Sequence, residues 1–245
     1  MKTLVFCAAL LTLALPSYGT TTTFTDNTFN LANYSESPLF KSNASASFTF
    51  DQCPTCGNPG QALQTISTLP NTGDFVAQGF VNNTFSYNPA TQGAISTIDA
   101  SVDKNIITNI PPGGNPGAGN TFRPLIEQDG IFYLAAISGP TFNGGTTGYL
   151  TLAQAGLVAT DFTKFDFTTG TFVAGNPNFA GDRLLFGLAQ RTQSGPANLI
   201  FEADYDNLNL KIHSVPDNGS TMMFLLSSAA AVLVARTYFA RRPNG

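Results

Sequence analysis

The chain has 245 residues, 42% of them hydrophobic and only 11% charged, with 11 Lys+Arg against 15 Asp+Glu, a single His and no Trp. Charged residues reach less than half the roughly 25% of an ordinary soluble domain, and the Thr, Asn, Ser and Gly that replace them disfavour long helices. The acidic balance excludes a nucleic-acid reader, which needs a basic stripe against phosphates, while 21 Phe and 7 Tyr exclude a disordered chain.

Residues 1–19 (MKTLVFCAALLTLALPSYG) begin with a positive Lys2, continue as an uncharged apolar run from Leu4 to Leu15, and break at Pro16. Ser17 and Gly19 supply small residues at the −3 and −1 positions of a cleavage site. The segment reads as a secretory signal peptide removed by signal peptidase, because the apolar run is too short to span a bilayer unaided. Cys7 lies inside that run, so a lipoprotein reading has no support.

Residues 20–214 carry 7 Lys+Arg and 14 Asp+Glu and show no composition shift and no long repeat, which predicts one domain. Period-2 or continuously apolar segments predict strands at 44–50, 79–87, 94–100, 131–137, 184–189, 198–203 and 205–212. Turn chemistry at Asn71-Thr72-Gly73, Asn143-Gly144-Gly145, Thr169-Gly170 and Ser194-Gly195-Pro196 separates them. The one helix predicted is short, over Thr151 to Leu157 (TLAQAGL), and residues 111–120, with seven Pro or Gly, predict an exposed loop. Many short strands with Gly- and Asn-rich turns give an all-β fold, a single β-sandwich or jelly roll.

Cys53-Pro54-Thr55-Cys56 is the sharpest local motif. It is expected to follow a strand ending at Phe50 and to lie in a loop, where no helix N-terminus and no near cation stabilises a thiolate. Zinc needs two further ligands, and His213 is the only His. A structural Cys53–Cys56 disulfide formed after export is the reading that remains.

With one His, a Ser-His-Asp or Cys-His mechanism has no credible base. Glycoside hydrolysis needs only two carboxylates, and Glu202-Ala203-Asp204-Tyr205-Asp206 places three at alternate positions of an extended strand. The pattern resembles the carboxylate-bearing strand of concanavalin-like glucanases, but its spacing departs from theirs and no Trp is present to stack on sugars. Two other readings stand beside catalysis. One is a solvated face that ends in a turn, with Leu208, Leu210 and Ile212 pointing inward; the other is Ca²⁺ binding by Asp204, Asp206 and Asn207. No catalytic residue and no cofactor other than this candidate Ca²⁺ is assigned.

The last segment, 215–245, has three parts: VPDNGST (Val215, Pro216, Asp217, Asn218, Gly219, Ser220, Thr221), an apolar span over 222–240 interrupted by Arg236, and a basic end at 241–245 with Arg241 and Arg242. The basic residues after the span predict a single-pass transmembrane helix with its tail in the cytoplasm and the body outside. A GPI signal does not close on a basic cluster.

This tail resembles the PEP-CTERM class of bacterial sorting signals, in its Val-Pro-Asp-x-Gly-Ser-Thr variant, with Asn218 at the variable position. The resemblance implies recognition by an exosortase-type membrane enzyme, an inner-membrane precursor, and transfer to the cell surface or extracellular matrix. The alternative is a plain single-pass anchor. In the body, AISTIDASVDK, RPLIEQDGIFYLA, GLVATDF, GNPNFAGDRLLFGLAQR and ADYDNLNLKI follow one another in an order that resembles the concanavalin-A-like sandwich of exported bacterial proteins. That resemblance implies two curved antiparallel sheets and no particular ligand. The resulting expectation is a non-enzymatic surface or matrix protein. A Ca²⁺-dependent carbohydrate-binding module, with polysaccharide as partner, is the alternative, and a glycoside hydrolase comes third.

Overall fold

The computed structural model describes residues 19–110, 121–135, 148–195 and 197–215. The predicted signal peptide up to residue 18, the 111–120 loop, and the tail from residue 216 onward lie outside the described residues. Among the described residues no helix is long and apolar enough to cross a membrane.

Among the described residues fourteen strands form two antiparallel sheets, which bears out the all-β sandwich. Sheet A has six strands: β1 (Thr21–Asp26), β4 (Ser47–Gly57), β5 (Gly60–Leu69), β7 (Ile95–Ile110), β10 (Leu150–Leu157) and β14 (Leu199–Ser214). Sheet B has eight: β2 (Tyr34–Glu36), β3 (Phe40–Lys41), β6 (Phe75–Tyr87), β8 (Thr121–Gln128), β9 (Ile131–Ala135), β11 (Phe162–Asp166), β12 (Thr171–Val173) and β13 (Leu184–Gln193). Their spatial orders are β10-β7-β14-β5-β4, with β1 also on β14, and β12-β11-β9-β8-β13-β6-β2, with β3 also on β6. A short α-helix, α1 (Pro89–Gln92), starts from an Asn88 cap whose side chain accepts the Ala90 N–H.

The alternating pattern puts one row of each strand into a shared core. From sheet A, Phe201, Ala203, Tyr205, Leu208, Leu210 and Ile212 are buried; from sheet B, Phe80, Phe122, Ile126, Phe186 and Leu188 face them. Phe24 of β1 stacks on Phe85 of β6 at 5.2 Å, and Phe50 of β4 meets Phe80 edge-on at 4.9 Å. Fully burying each such ring contributes about 1.5–3 kcal/mol, so the phenylalanines carry much of the cohesion between the sheets.

The predicted strand pairs at 198–203 and 205–212 are one strand, β14, kinked by a bulge between Asp206 and Asn209 where Asn207 takes φ 52°. The extra residue switches the inward row from Phe201, Ala203 and Tyr205 to Leu208, Leu210 and Ile212. The acids at 202, 204 and 206 therefore point away from the core although they share sequence parity with the inward leucines.

The predicted helix at 151–157 is instead strand β10, paired with β7 from Leu150↔Lys104 to Leu157↔Ile98. Edge pairing and the burial of Leu152 and Leu157 against the core outweigh the helix propensity of Leu, Ala and Gln. The strand expected to end at Phe50 continues to Gly57, so the cysteine motif lies within β4 and not in a loop. Of the strand predicted at 131–137, residues 131–135 form β9 and the remainder lies outside the described residues.

Both ends of the sandwich leave at one pole. The Ser214 N–H donates to the Thr20 carbonyl, and the Val215 N–H donates to the Ala94 carbonyl just after α1.

Candidate functional site

The outer face of sheet B holds a small second cluster: Ala77, Val81, Leu125, Leu134, Phe165, Phe167 and Ala189 are buried there, outside the main core. Phe167 lies over the middle of the face. A Cβ added to Gly79 would stand 3.0 Å from its Cζ and 3.1 Å from Leu125 Cδ2, so glycine at 79 is what lets the ring settle on the sheet. The tight turn that brings Phe167 back is set by Asp166, whose Oδ1 accepts both the N–H and the hydroxyl of Thr168.

To one side of Phe167 a cleft crosses the strands. One part, ≈ 180 Å³, is mainly apolar, with Val81 of β6, Leu185 of β13 and Phe132 of β9 as floor and Ser35, Glu36 and Asn83 along one wall. Glu127 and Leu185 are shared with an adjoining polar recess of ≈ 450 Å³ that reaches Asn88, Asp129, Asp182 and Arg183. Phe132 meets Phe167 edge-on at 5.3 Å, which fixes the floor ring against the buried cluster.

The polar groups are held by their own turns. Asp129 (φ 54°) and Gly130 (φ 75°) form the β8–β9 hairpin, and the Gly130 N–H donates to Glu127 Oε1 at 2.6 Å. Gln128 Nε2 donates to the carbonyls of Asn178 and Asp182, tying the 178–183 loop to the end of β8. The Ser35 hydroxyl donates to Asn83 Oδ1 at 3.0 Å. Four carboxylates, at Glu36, Glu127, Asp129 and Asp182, with one arginine, Arg183, line a concave surface with an aromatic floor. Such a lining offers acceptors and donors to hydroxyl groups and a ring face to an apolar surface, and it repels polyanions.

The residues singled out in the sequence lie elsewhere. Asp204 and Asp206 are buried within β14 on the outer side of sheet A, so the solvated turn expected there does not exist. They lie beneath the tip of the β4–β5 hairpin and Tyr149, whose hydroxyl donates to the Cys56 carbonyl. Asp206 accepts the Asn58 and Asn207 N–H groups, one on each oxygen, and Asp204 accepts Gln64 Nε2 at 3.3 Å. Asn207 gives its amide to the Asn58 carbonyl at 2.9 Å and to Asp103 Oδ2 at 2.8 Å.

Burial, and then the neighbouring charges of Asp204, Asp206 and Asp103, push the Tyr149 phenol up. Burial likewise raises Asp204 to about 6. Among the described residues no three His, Cys, Asp or Glu groups are arranged to hold a metal ion. Cys53 and Cys56 are bonded to each other, their Cα atoms 5.4 Å apart. His213 pairs with Asp99 at 2.9 Å on the outer side of sheet A, away from the cleft. Of the sorting residues only Val215 is described; Pro216, Asp217, Gly219, Ser220, Thr221, Arg236, Arg241 and Arg242 lie outside the described residues.

No protein-family model matches the chain, and no curated protein matches it. Among solved structures, it is similar to a family 11 carbohydrate-binding module from Clostridium thermocellum in complex with a β-1,3-1,4-mixed-linked tetrasaccharide, at 10% identity over 80% of this chain and 96% of that one, with a TM-score of 0.46. A second is the family 11 module of a cellulosomal cellulase from Clostridium thermocellum, at 10% identity over 77% and 94% of the two chains, with a TM-score of 0.43. The likeness concerns the sandwich architecture, which the two sheets display by themselves.

The cleft was not found by sequence reasoning because its walls come from β2, β6, β8, β9 and β13, which are far apart in the chain. One signal was present. Asp129-Gly130 between two apolar runs is hairpin chemistry, and it marks the turn that carries two of the lining residues.

Proposed function

We propose that the chain is an exported surface protein whose sandwich binds a neutral polysaccharide in the cleft across sheet B, without turning it over. The observation that carries this reading is that the apolar floor at Val81, Phe132 and Leu185 adjoins a polar recess of carboxylates and amides, the two sharing Glu127 and Leu185. A pyranose presents an apolar C–H face and a rim of hydroxyls, and both halves of the recess match it.

The leader over 1–19 and the tail over 215–245 supply the export and exosortase-sorting part of the proposal. The shared pole at Thr20, Ser214 and Val215 is compatible with it, since the described body starts and finishes on one side. That pole also carries α1 and so lies beside the polar end of the cleft.

The test is a glycan array on the purified full chain, followed by titration of the strongest neutral oligosaccharide against wild type and Phe132→Ala. Binding weakened about tenfold or more in the variant, with no release of reducing ends by wild type, is expected. Retention of no neutral glycan, or equal binding by the variant, removes the cleft from the account. Release of reducing ends makes the protein a glycosidase.

A further inference from the structure

On the far side of Phe167 the same face carries a different kind of group. Arg123 of β8 and Arg191 of β13 both point outward, and the register pairs Arg123 with Ala189 and Arg191 with Thr121. They are diagonal neighbours on adjacent strands, roughly 7–8 Å apart at the backbone. From Leu185 in the cleft to Arg191 is six residues of β13, about 20 Å of strand, so the two features do not overlap.

Each guanidinium rests on a ring: Arg191 Cζ lies 4.5 Å from the centre of Phe75, and Arg123 Cζ 5.3 Å from that of Phe172. Burial first, and then the charge of Arg191, lower the Arg123 pKa. A guanidinium has five N–H donors. Arg123 uses one, donating through Nη1 to the Ala135 carbonyl at 3.3 Å, and its Nε is buried without a partner. The Arg191 Nε is buried and unpartnered as well. Among the described residues the one ion pair is His213–Asp99 on the other sheet, so no carboxylate answers either arginine. Two like charges, half-buried side by side in an acidic chain, have no carboxylate paired with them among the described residues.

We infer that Arg123 and Arg191 form a subsite for the carboxylate groups of an acidic polysaccharide, separate from the cleft. Planar guanidinium forks match carboxylates two bonds at a time, and neighbouring forks suit successive acidic sugars better than a single small ion. Phe75 and Phe172 beside the forks offer apolar faces to the sugar rings. The acidic lining of the cleft repels the same polymer, so this chemistry belongs to the arginine end of the face alone.

The purified full chain is titrated with oligogalacturonate, a neutral oligogalactoside of equal length, a sulfated oligosaccharide and poly-glutamate. Oligogalacturonate is expected to bind tightest, with an affinity that falls as salt rises. Arg191→Gln and Arg123→Gln are each expected to weaken it about tenfold or more. Arg191→Lys is expected to weaken it nearly as much, because a point charge lacks the fork. Should Arg123→Gln not fold, Arg191→Gln still decides, since the Arg191 side chain rests on Phe75 and its Nε has no partner among the described residues. Phe132→Ala is expected to leave oligogalacturonate binding unchanged, which keeps failure of the cleft and failure of this subsite distinguishable. Folded arginine variants that bind oligogalacturonate like wild type, or that weaken the neutral oligomer as much as oligogalacturonate, would overturn the subsite. Equal or tighter binding of the sulfated sugar or of poly-glutamate would overturn the assignment to glycan carboxylates.

Discussion

The Asn58 N–H donates to Asp206 Oδ2 across 148 residues of chain, pinning the tip of the β4–β5 hairpin to the bulge in β14. The bond is returned next door, where Asn207 Nδ2 donates to the Asn58 carbonyl. Because Asp206 is buried and accepts N–H groups on both oxygens, Asp206→Ala leaves two donors unanswered. A loss of about 2–4 kcal/mol is expected in urea unfolding, and a loss below 0.5 kcal/mol would show the bulge to be held by pairing alone. The same engagement bears on calcium. With both oxygens occupied by donors, saturating Ca²⁺ is expected to leave the melting temperature unchanged, whereas a saturable rise would establish a site.

Two buried groups titrate in opposite senses. Burial raises Asp204 to about 6, opposed by the Gln64 hydrogen bond and reinforced by Glu202; its folded pKa exceeds the unfolded one, so its contribution is present at low pH and is lost as pH rises through 6. Burial lowers Lys104 to about 7, where it lies against the rings of Phe201 and Tyr205. Its folded pKa is below the unfolded one, so stability rises with pH between about 7 and 10.5. Asp204→Asn is expected to flatten the acid limb and Lys104→Met the alkaline limb, read as urea midpoints across pH. Unchanged limbs would mean that neither group titrates inside the fold.

Gly187 sits where β13 meets β6, and a Cβ there would stand 1.9 Å from the Phe80 carbonyl oxygen. Gly187→Ala must push the two strands apart beside the floor of the cleft. A loss of about 1–3 kcal/mol is expected by urea titration, together with weaker oligosaccharide binding. A variant as stable as wild type would show that the strands can shift freely.

Much of the sandwich was legible because alternation survives tertiary packing. The inward placement of Leu208, Leu210 and Ile212 was read correctly from the sequence, and all three are buried. What failed was local backbone geometry. The positive φ at Asn207 reverses the facing of β14, and no periodicity announces it, although Asn is among the residues that tolerate that region. TLAQAGL reads as helix by composition because its partner β7 lies about fifty residues earlier, beyond any local window. The cleft suffered the same way: Ser35, Val81, Glu127 and Leu185 become neighbours only through strand order.

The Cys53–Cys56 bridge closes a loop of sequence separation 3, so reduction removes little unfolded-state entropy. Reduction is expected to cost about 2 kcal/mol or less in unfolding experiments, and alkylation without reductant is expected to modify neither cysteine. Two freely alkylated thiols in the exported protein would contradict the bridge.

The central claim is that the outer face of sheet B, at Phe132, is where a glycan binds. Amide chemical-shift mapping of the isotope-labelled protein during titration with an array-selected neutral oligosaccharide tests it most directly. Saturable shifts are expected at Val81, Glu127, Phe132 and Leu185, residues of four neighbouring strands that share the cleft. Shifts gathered instead at Asp103, Asp204 and Asp206 would move the site to sheet A and contradict the account.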